Sequence, residues 1–376
     1  MYFYFSTNEF QLKGQSYKDF PLLYDSSLQL VKPTFYFLVH HCITRGRVQS
    51  THSWARYGQD MYDYFSWLEA NNIEWTDTAE YSGQSIVALY RDWSLERCKL
   101  SETTINQRLR TIVMFYRYAY RQGWVDTVPF NIETVMISRQ PGMLAHVDAS
   151  GSTKQAPDIL LKEKRRPLKV LSKAQAIELL NAIENPTHKL MARMGLQVGL
   201  RREEINTFPR KYVINPMSGE KRSGMFRVTL DTKDMRTKGS KSRAVDIPWR
   251  LMADLWDYLI VTRHQLLTTM ENNPKELFLN QYGQPYKPEG FGLNHALVAL
   301  DLDFEVTAHV LRHTYATHTL YEMRKNKRSQ DPLLYLKQRL GHTSINSTLV
   351  YLHYLDHVED DLMTCYQEEI DAGSMD

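Results

Sequence analysis

The side chains of this 376-residue chain that could do chemistry together are arginines, histidines, a lysine and a tyrosine. They lie in four short strings and at one position: GLRREEI at 199–205, TKGSK at 237–241, HVLRH at 309–313, LGH at 340–342, and Tyr351. Such a cationic set suits a phosphate-like anion, and a planar guanidinium fork matches phosphate oxygens better than an ammonium does. Arg201 follows a Gly-Leu turn and opens a helix whose first turn holds Glu203 and Glu204, acids that complement the positive end of the helix dipole. His309 and Arg312 stand at i, i+3 and share one helix face, leaving Leu311, Tyr315 and Leu320 for packing. Lys238 falls at a predicted hairpin turn, with Lys233 and Lys241 as alternatives. A phenol has a pKa near 10, so a tyrosine such as Tyr351, or Tyr354 one turn on, would need a cation-rich pocket and a base to act as a nucleophile at neutral pH. Taken singly, each string also fits a plainer role: a helix start, a surface turn, a polar helix face or a packed core tyrosine.

The elements that must carry these groups follow from periodicity. Residues 32–46 have apolar groups at helical spacing after a proline, and 51–70 place Trp54, Tyr57, Met61, Phe65 and Leu68 on one face. Ser101 suits a helix N-cap, and Ile105, Leu109, Ile112, Phe115 and Tyr116 repeat the pattern up to Gly123. Arg108, Arg110, Arg117, Tyr118 and Arg121 interleave there as a DNA-contacting stripe or a solvated face. From Pro141 to Pro167 the periodicity fails in a stretch rich in Gly, Ser and Pro, read as a linker. A helix then begins after Ser172, strands at 225–232 and 242–248 flank the lysine turn, and helices are predicted at 250–270, 308–323, 332–340 and 344–356. The fold class is mainly α with a small β element (α+β).

Length alone favours two domains at roughly 150 residues each. Net charge is only +3, yet 162–250 holds 21 Lys or Arg against 9 acids, whereas 356–376 holds 8 acids and neither Lys nor Arg. The first bias fits a polyanion partner. Cys42, Cys98 and Cys365 form no CxxC pair, which argues against a structural zinc site and a secreted disulfide scaffold and points to a reducing cytoplasm. There is no basic leader with a cleavage site and no run of about 18 apolar residues, so neither export nor a membrane span is expected. A Walker motif and a two-metal carboxylate pair are also missing, so no cofactor and no metal are expected.

The order and spacing of these elements resemble the tyrosine recombinase (phage integrase) family, strongly over about 169–356 and more weakly over about 30–130. The resemblance implies a 1–29 N-terminal extension, a 30–135 helical core-binding (SAM-like) DNA-binding domain and a 136–168 basic linker. A 169–356 catalytic domain and a 357–376 acidic tail follow. It implies a site-specific recombinase that cuts and rejoins DNA through a 3′-phosphotyrosine, for integration, excision or transposition of a mobile element. In that reading Arg201, Arg312, His309 and His342 bind the phosphate, and His309 is also the candidate to accept the nucleophile's proton. Glu204 supports them, Lys238 protonates the leaving 5′-oxygen, and Tyr351 is the nucleophile; His313 is expected to make structural hydrogen bonds, and His318 lies outside the motif. The implied partners are double-stranded recombination sites, further copies of the chain in a tetramer joined through its tail, and accessory DNA-bending or directionality proteins, all on a bacterial nucleoid. Two features depart from the family pattern: EMRKNKRSQDP before LGH is longer and more basic than usual, and the linker is long. Only about 30 residues precede the first helix, too few for an arm-binding domain. The competing readings are a chromosome or plasmid dimer resolvase, a type IB topoisomerase, and a DNA-binding protein that no longer cleaves. All six catalytic positions are filled, which weighs against the last.

Overall fold

The computed structural model describes residues 1–46, 48, 50–78, 83–136, 153–163, 167–218, 224–237, 241–267, 273–326 and 331–356. Its contacts divide the chain into two units, 1–165 and 166–376, each with its own apolar core. Lys238 and the tail at 357–376 lie outside the described residues.

The first unit starts with β1 (Tyr2–Phe5), the short pair β2 (Gln11–Leu12) and β3 (Gln15–Ser16), and β4 (Pro21–Tyr24). Four helices follow: α1 (Lys32–Leu38), continued by a π turn to Thr44, α2 (Thr51–Ala70), α3 (Ile86–Glu96) and α4 (Glu102–Arg121). Ser85 and Ser101 cap α3 and α4 by accepting from the backbone N–H three residues on, which satisfies one orphan donor at each start. The core is aromatic, with Phe37, Tyr64, Phe115 and Tyr116 fully enclosed. The buried Tyr64 and Tyr116 hydroxyls lie 2.9 Å apart, and Tyr116 donates to the Trp75 carbonyl, so neither is left unsatisfied.

Two expected boundaries differ. Residues 1–29 are not an appended extension: β1 and β4 pair antiparallel, and Phe20 and Leu23 are buried in the helical core. Nor is 136–168 wholly a linker. β5 (Ile132–Met136) pairs with β6 (Thr153–Pro157), Ile159 is buried in the first core, and Asn106 exchanges two 2.8 Å hydrogen bonds with the Leu161 backbone. TKQAP is polar on a ribbon that is mostly exposed, and its pairing partner is too far along the chain for local periodicity to show. On α4, Arg108 is paired with Asp63 and Arg110 with Glu163, while Arg117 and Arg121 stand on the rim of a cavity floored by Phe37 and Tyr118.

The second unit contains α5 (Lys173–Ala182), α6 (Pro186–Val198), α7 (Arg202–Asn206), β7 (Met225–Leu230) and β8 (Arg243–Pro248). Next come α8 (Trp249–Asp257), α9 (Arg263–Leu267), α10 (Gly292–Val298), α11 (Ala308–Lys325), α12 (Pro332–Leu340) and a last helix, α13, over 346–356. Ser172 and Gln175 form a capping box on α5, and the β7–β8 ribbon pairs Met225 with Pro248 through to Leu230 with Arg243. The main core joins α6, α8, α11 and the ribbon through Met194, Val245, Leu255 and Leu311. A smaller cluster of Leu320, Leu336, Leu340, Tyr351 and Leu355 holds α13 against α11 and α12. Each such leucine contributes about 1.5–3 kcal/mol when fully buried, enough for a short helix to stay docked.

Candidate active site

α6 and α12 both end in a glycine with a left-handed backbone, Gly199 at φ 71° and Gly341 at φ 62°. A Cβ on Gly199 would stand 2.3 Å from the Tyr315 ring, and one on Gly341 would stand 2.8 Å from Arg243 Cδ. The glycines of GLR and LGH therefore let two helix ends close on the same spot. α11 runs between them and brings Arg312, only 2% exposed, into the gap. Arg312 donates to the Gly199 carbonyl and to the Leu340 carbonyl, each at 2.6 Å, so its fork meets the negative ends of both helices.

Arg201 stands beside it at the start of α7. Its Nη1 donates to Glu204 Oε1 at 3.0 Å, and its backbone N–H donates to Glu204 Oε2 at 2.8 Å. Glu204 is buried and also accepts a bidentate fork from Arg243, at 2.6 and 2.7 Å. Burial works to raise the Glu204 pKa, but the Arg243 fork and the charges of Arg201 and Arg312 hold it below the ordinary carboxylate value. Arg243 is itself tied to the Arg339 carbonyl at 2.8 Å. Three guanidiniums thus converge around one carboxylate, a strong net positive field. Burial and the Arg201 charge push Arg312 down to about 9, so it stays protonated at neutral pH.

His342 follows the α12 cap. Its Nε2 lies 3.4 Å from Arg312 Nη2 and its Nδ1 lies 2.9 Å from the Oγ1 of fully buried Thr348. A guanidinium only donates, so Nε2 accepts and the proton of the neutral ring sits on Nδ1, facing Thr348. Burial and the surrounding arginines depress His342 to about 3. Tyr351 stacks on His342 with centroids 6.3 Å apart and an 11° tilt. The phenol is 2% exposed; burial raises its pKa, and the charges of Arg312 and Arg201 oppose that shift. Its Oη lies 3.0 Å from His313 Nδ1.

Of the positions read from sequence, Arg201, Glu204, Arg312, His342 and Tyr351 meet in this cluster. His309 is exposed one turn before His313 on α11 and meets its ring edge to face at 4.2 Å. Tyr354 is half-buried one turn beyond Tyr351. His318 is structural, with Nε2 donating to the Leu171 carbonyl at 2.9 Å. Three participants escape the sequence reading. Arg243 is a member of the β8 run SRAVDIP, where its charge is indistinguishable from that of neighbouring lysines; Thr348 looks like any helix-start threonine. His313, expected from sequence to make structural hydrogen bonds, is the group that touches the Tyr351 hydroxyl. Among the described residues no group of three or more His, Cys, Asp or Glu side chains could hold a metal ion, and no helix is long and apolar enough to cross a membrane.

This fold and site define a class, the DNA breaking and rejoining enzymes that use a tyrosine. The chain belongs to the phage integrase family: residues 169–357 match the model of that family, and 41–123 match that of the phage integrase N-terminal SAM-like domain. It is a site-specific tyrosine recombinase. It is similar to transposase A of transposon Tn554 from Staphylococcus aureus, 22% identical over 90% of this chain and 92% of that protein. It is also similar to the tyrosine recombinase XerC of Halalkalibacterium halodurans, 24% identical over 81% of this chain and 87% of the relative. Among solved structures, the XerH site-specific recombinase bound to difH aligns with a TM-score of 0.54 at 15% identity, over 86% and 82% of the two chains. The Tn1549 transposon integrase bound to circular-intermediate DNA aligns at 0.53 and 17% identity, over 85% and 94%.

Proposed function

We propose that the chain cuts one DNA strand by attack of Tyr351 on the scissile phosphate, in the service of a mobile genetic element. The observation that carries this is the convergence of Arg201, Arg312, His342 and Tyr351 from four separate stretches of sequence onto one cluster. Arg201 and Arg312 hold the non-bridging oxygens and oppose the charge that grows on the phosphorane, with His309 reaching the phosphate from its exposed position. Burial and the arginine field together keep His342 neutral, and an entering phosphate anion offsets the second of these, raising the basicity of the ring towards a share in that stabilisation. The phenol oxygen joins phosphorus, the 5′-oxygen leaves with a proton from Lys238, and a 3′-phosphotyrosine remains. The ester retains the energy of the broken bond, so a partner strand's 5′-hydroxyl reverses the step without ATP.

The substrate in this reading is a double-stranded recombination site, gripped by both units and synapsed by four copies of the chain on the bacterial nucleoid, with accessory bending or directionality proteins. The acidic tail docks on a neighbouring copy. Similarity to the Tn554 transposase along nearly the whole chain favours the mobile-element role; similarity to XerC favours dimer resolution as the second reading. Element ends flanking the reading frame separate the two. The chemistry is tested with a nicked suicide substrate: Tyr351→Phe is expected to form no covalent adduct while binding DNA within a few-fold, and Tyr354→Phe to form it. Adduct from Tyr351→Phe, or a requirement for added magnesium, overturns the reading.

A further inference from the structure

The buried phenol has a proton to lose before it can attack, and its side chain is almost wholly enclosed. Tyr351 is 2% exposed, and its oxygen lies 3.0 Å from His313 Nδ1. His313 is half-buried, and its ring meets that of exposed His309 edge to face at 4.2 Å. The three side chains form a graded path from an enclosed oxygen to the surface, and His313 is its inner member. We propose that His313, rather than His309, is the catalytic group that takes the Tyr351 proton, and that His309 stands between His313 and solvent.

The inference rests on the reading of Tyr351 as the nucleophile. In the neutral imidazole the proton sits on Nε2, leaving Nδ1 to accept from the phenol. In the forward step Tyr351 Oη bonds to phosphorus, its proton passes to Nδ1, the P–O5′ bond breaks, and the 5′-oxygen takes a proton from the general acid; religation returns each proton. The charged and titratable groups facing His313 are His309 and Arg312 on its own helix, Tyr351 on α13 and His342 in the turn before it. Burial, His309 and Arg312 hold His313 down to about 4 without DNA, so it is unprotonated and free to accept. A bound phosphate anion opposes the Arg312 charge and raises the basicity of the ring when the proton must move. A base in contact with its proton contributes about 10²–10⁴ in rate.

Asparagine places a polar atom near the position of Nδ1 but takes no proton at neutral pH, so His313→Asn preserves the contact and removes the base. With saturating nicked DNA in single turnover, His313→Asn and His313→Ala are each expected to lose about 100-fold or more in adduct formation, with DNA affinity unchanged. The wild-type rate is expected to rise with pH to a plateau, and that of His313→Asn to keep rising. 3-Fluorotyrosine at position 351, a more acidic phenol, is expected to recover part of the His313→Asn loss. A 5′-bridging sulfur, which leaves without a proton, is expected not to. An adduct rate within about threefold of wild type in folded His313→Asn overturns the proposal, as does rescue by the sulfur substrate. If His313→Ala fails to fold, the fluorotyrosine comparison in His313→Asn decides. Absence of adduct from the wild-type chain instead counts against Tyr351 as nucleophile.

Discussion

Arg201 and Arg312 have the same chemistry but different places in the structure, and that difference is measurable. Arg312 is enclosed and donates to two main-chain carbonyls, whereas the Arg201 side chain is about a fifth exposed and leans on Glu204. Either change to Lys replaces a fork with a point charge, so both are expected to lower adduct formation by several orders of magnitude. Only Arg312→Lys is expected to lower the thermal midpoint markedly, and equal melting of the two variants would contradict the geometry. Acid adds a second expectation. His313 and His342 have folded pKa values below the unfolded value of about 6.5, so below that pH the unfolded chain binds protons that the folded one refuses. Their effect is a stability that falls as pH drops from about 6.5 towards about 4 for His313 and about 3 for His342. The depressed carboxyl of Glu204 acts the same way lower down: its contribution is full above the unfolded value near 4.3 and lost as pH falls through the folded one. Urea midpoints between pH 7 and 5 should fall, and His342→Asn should flatten that slope. At this scale, residue type and order in the sequence single out the five positions that meet in the cluster. His313 and Arg243 were not legible, because sequence gives the face a side chain occupies and not the atom it meets; Tyr351 is 38 positions from His313.

At the scale of elements, the site depends on two helix ends that only glycine can turn so closely. Gly199→Ala is expected to cost about 2 kcal/mol or more, from the left-handed backbone and the Tyr315 ring together, and to weaken adduct formation because the Gly199 carbonyl anchors Arg312. Chemical denaturation and the suicide substrate read the two effects. The long amphipathic helices α2 and α4 were legible from their apolar period, with Ser101 marking the start of α4, and the β7–β8 ribbon from its β-rich runs. α3 was not, because IVALY is a short apolar, partly β-branched run that suits a buried strand equally well. α6 was also missed, although Thr187, Leu190, Met191, Met194, Gly195 and Val198 are buried along it at helical spacing.

For the whole molecule, charge is unevenly spread, basic over 162–250 and acidic over 356–376. The tail from 357 carries acids that phosphate repels, and Val358, Leu362, Met363, Tyr366 and Ile370 at helical spacing that suit an apolar partner. Deleting 360–376 is expected to leave half-site binding by the monomer nearly intact and to weaken synapsis and recombination together, read by gel shift and a two-site recombination assay; unchanged recombination would exclude that coupling. The two-unit organisation was legible from length and the break in periodicity, whereas the placement of 1–29 and 153–163 in the first unit depended on pairings between distant segments. The grip of Arg312 on the carbonyls of Gly199 and Leu340 bears on descent. A lineage that abandoned strand exchange could discard Tyr351 and keep its architecture, since a phenylalanine fills the same space. It could not discard Arg312 without releasing two helix termini. Silent descendants of such an enzyme should therefore still carry this arginine, kept for shape long after its chemistry is gone.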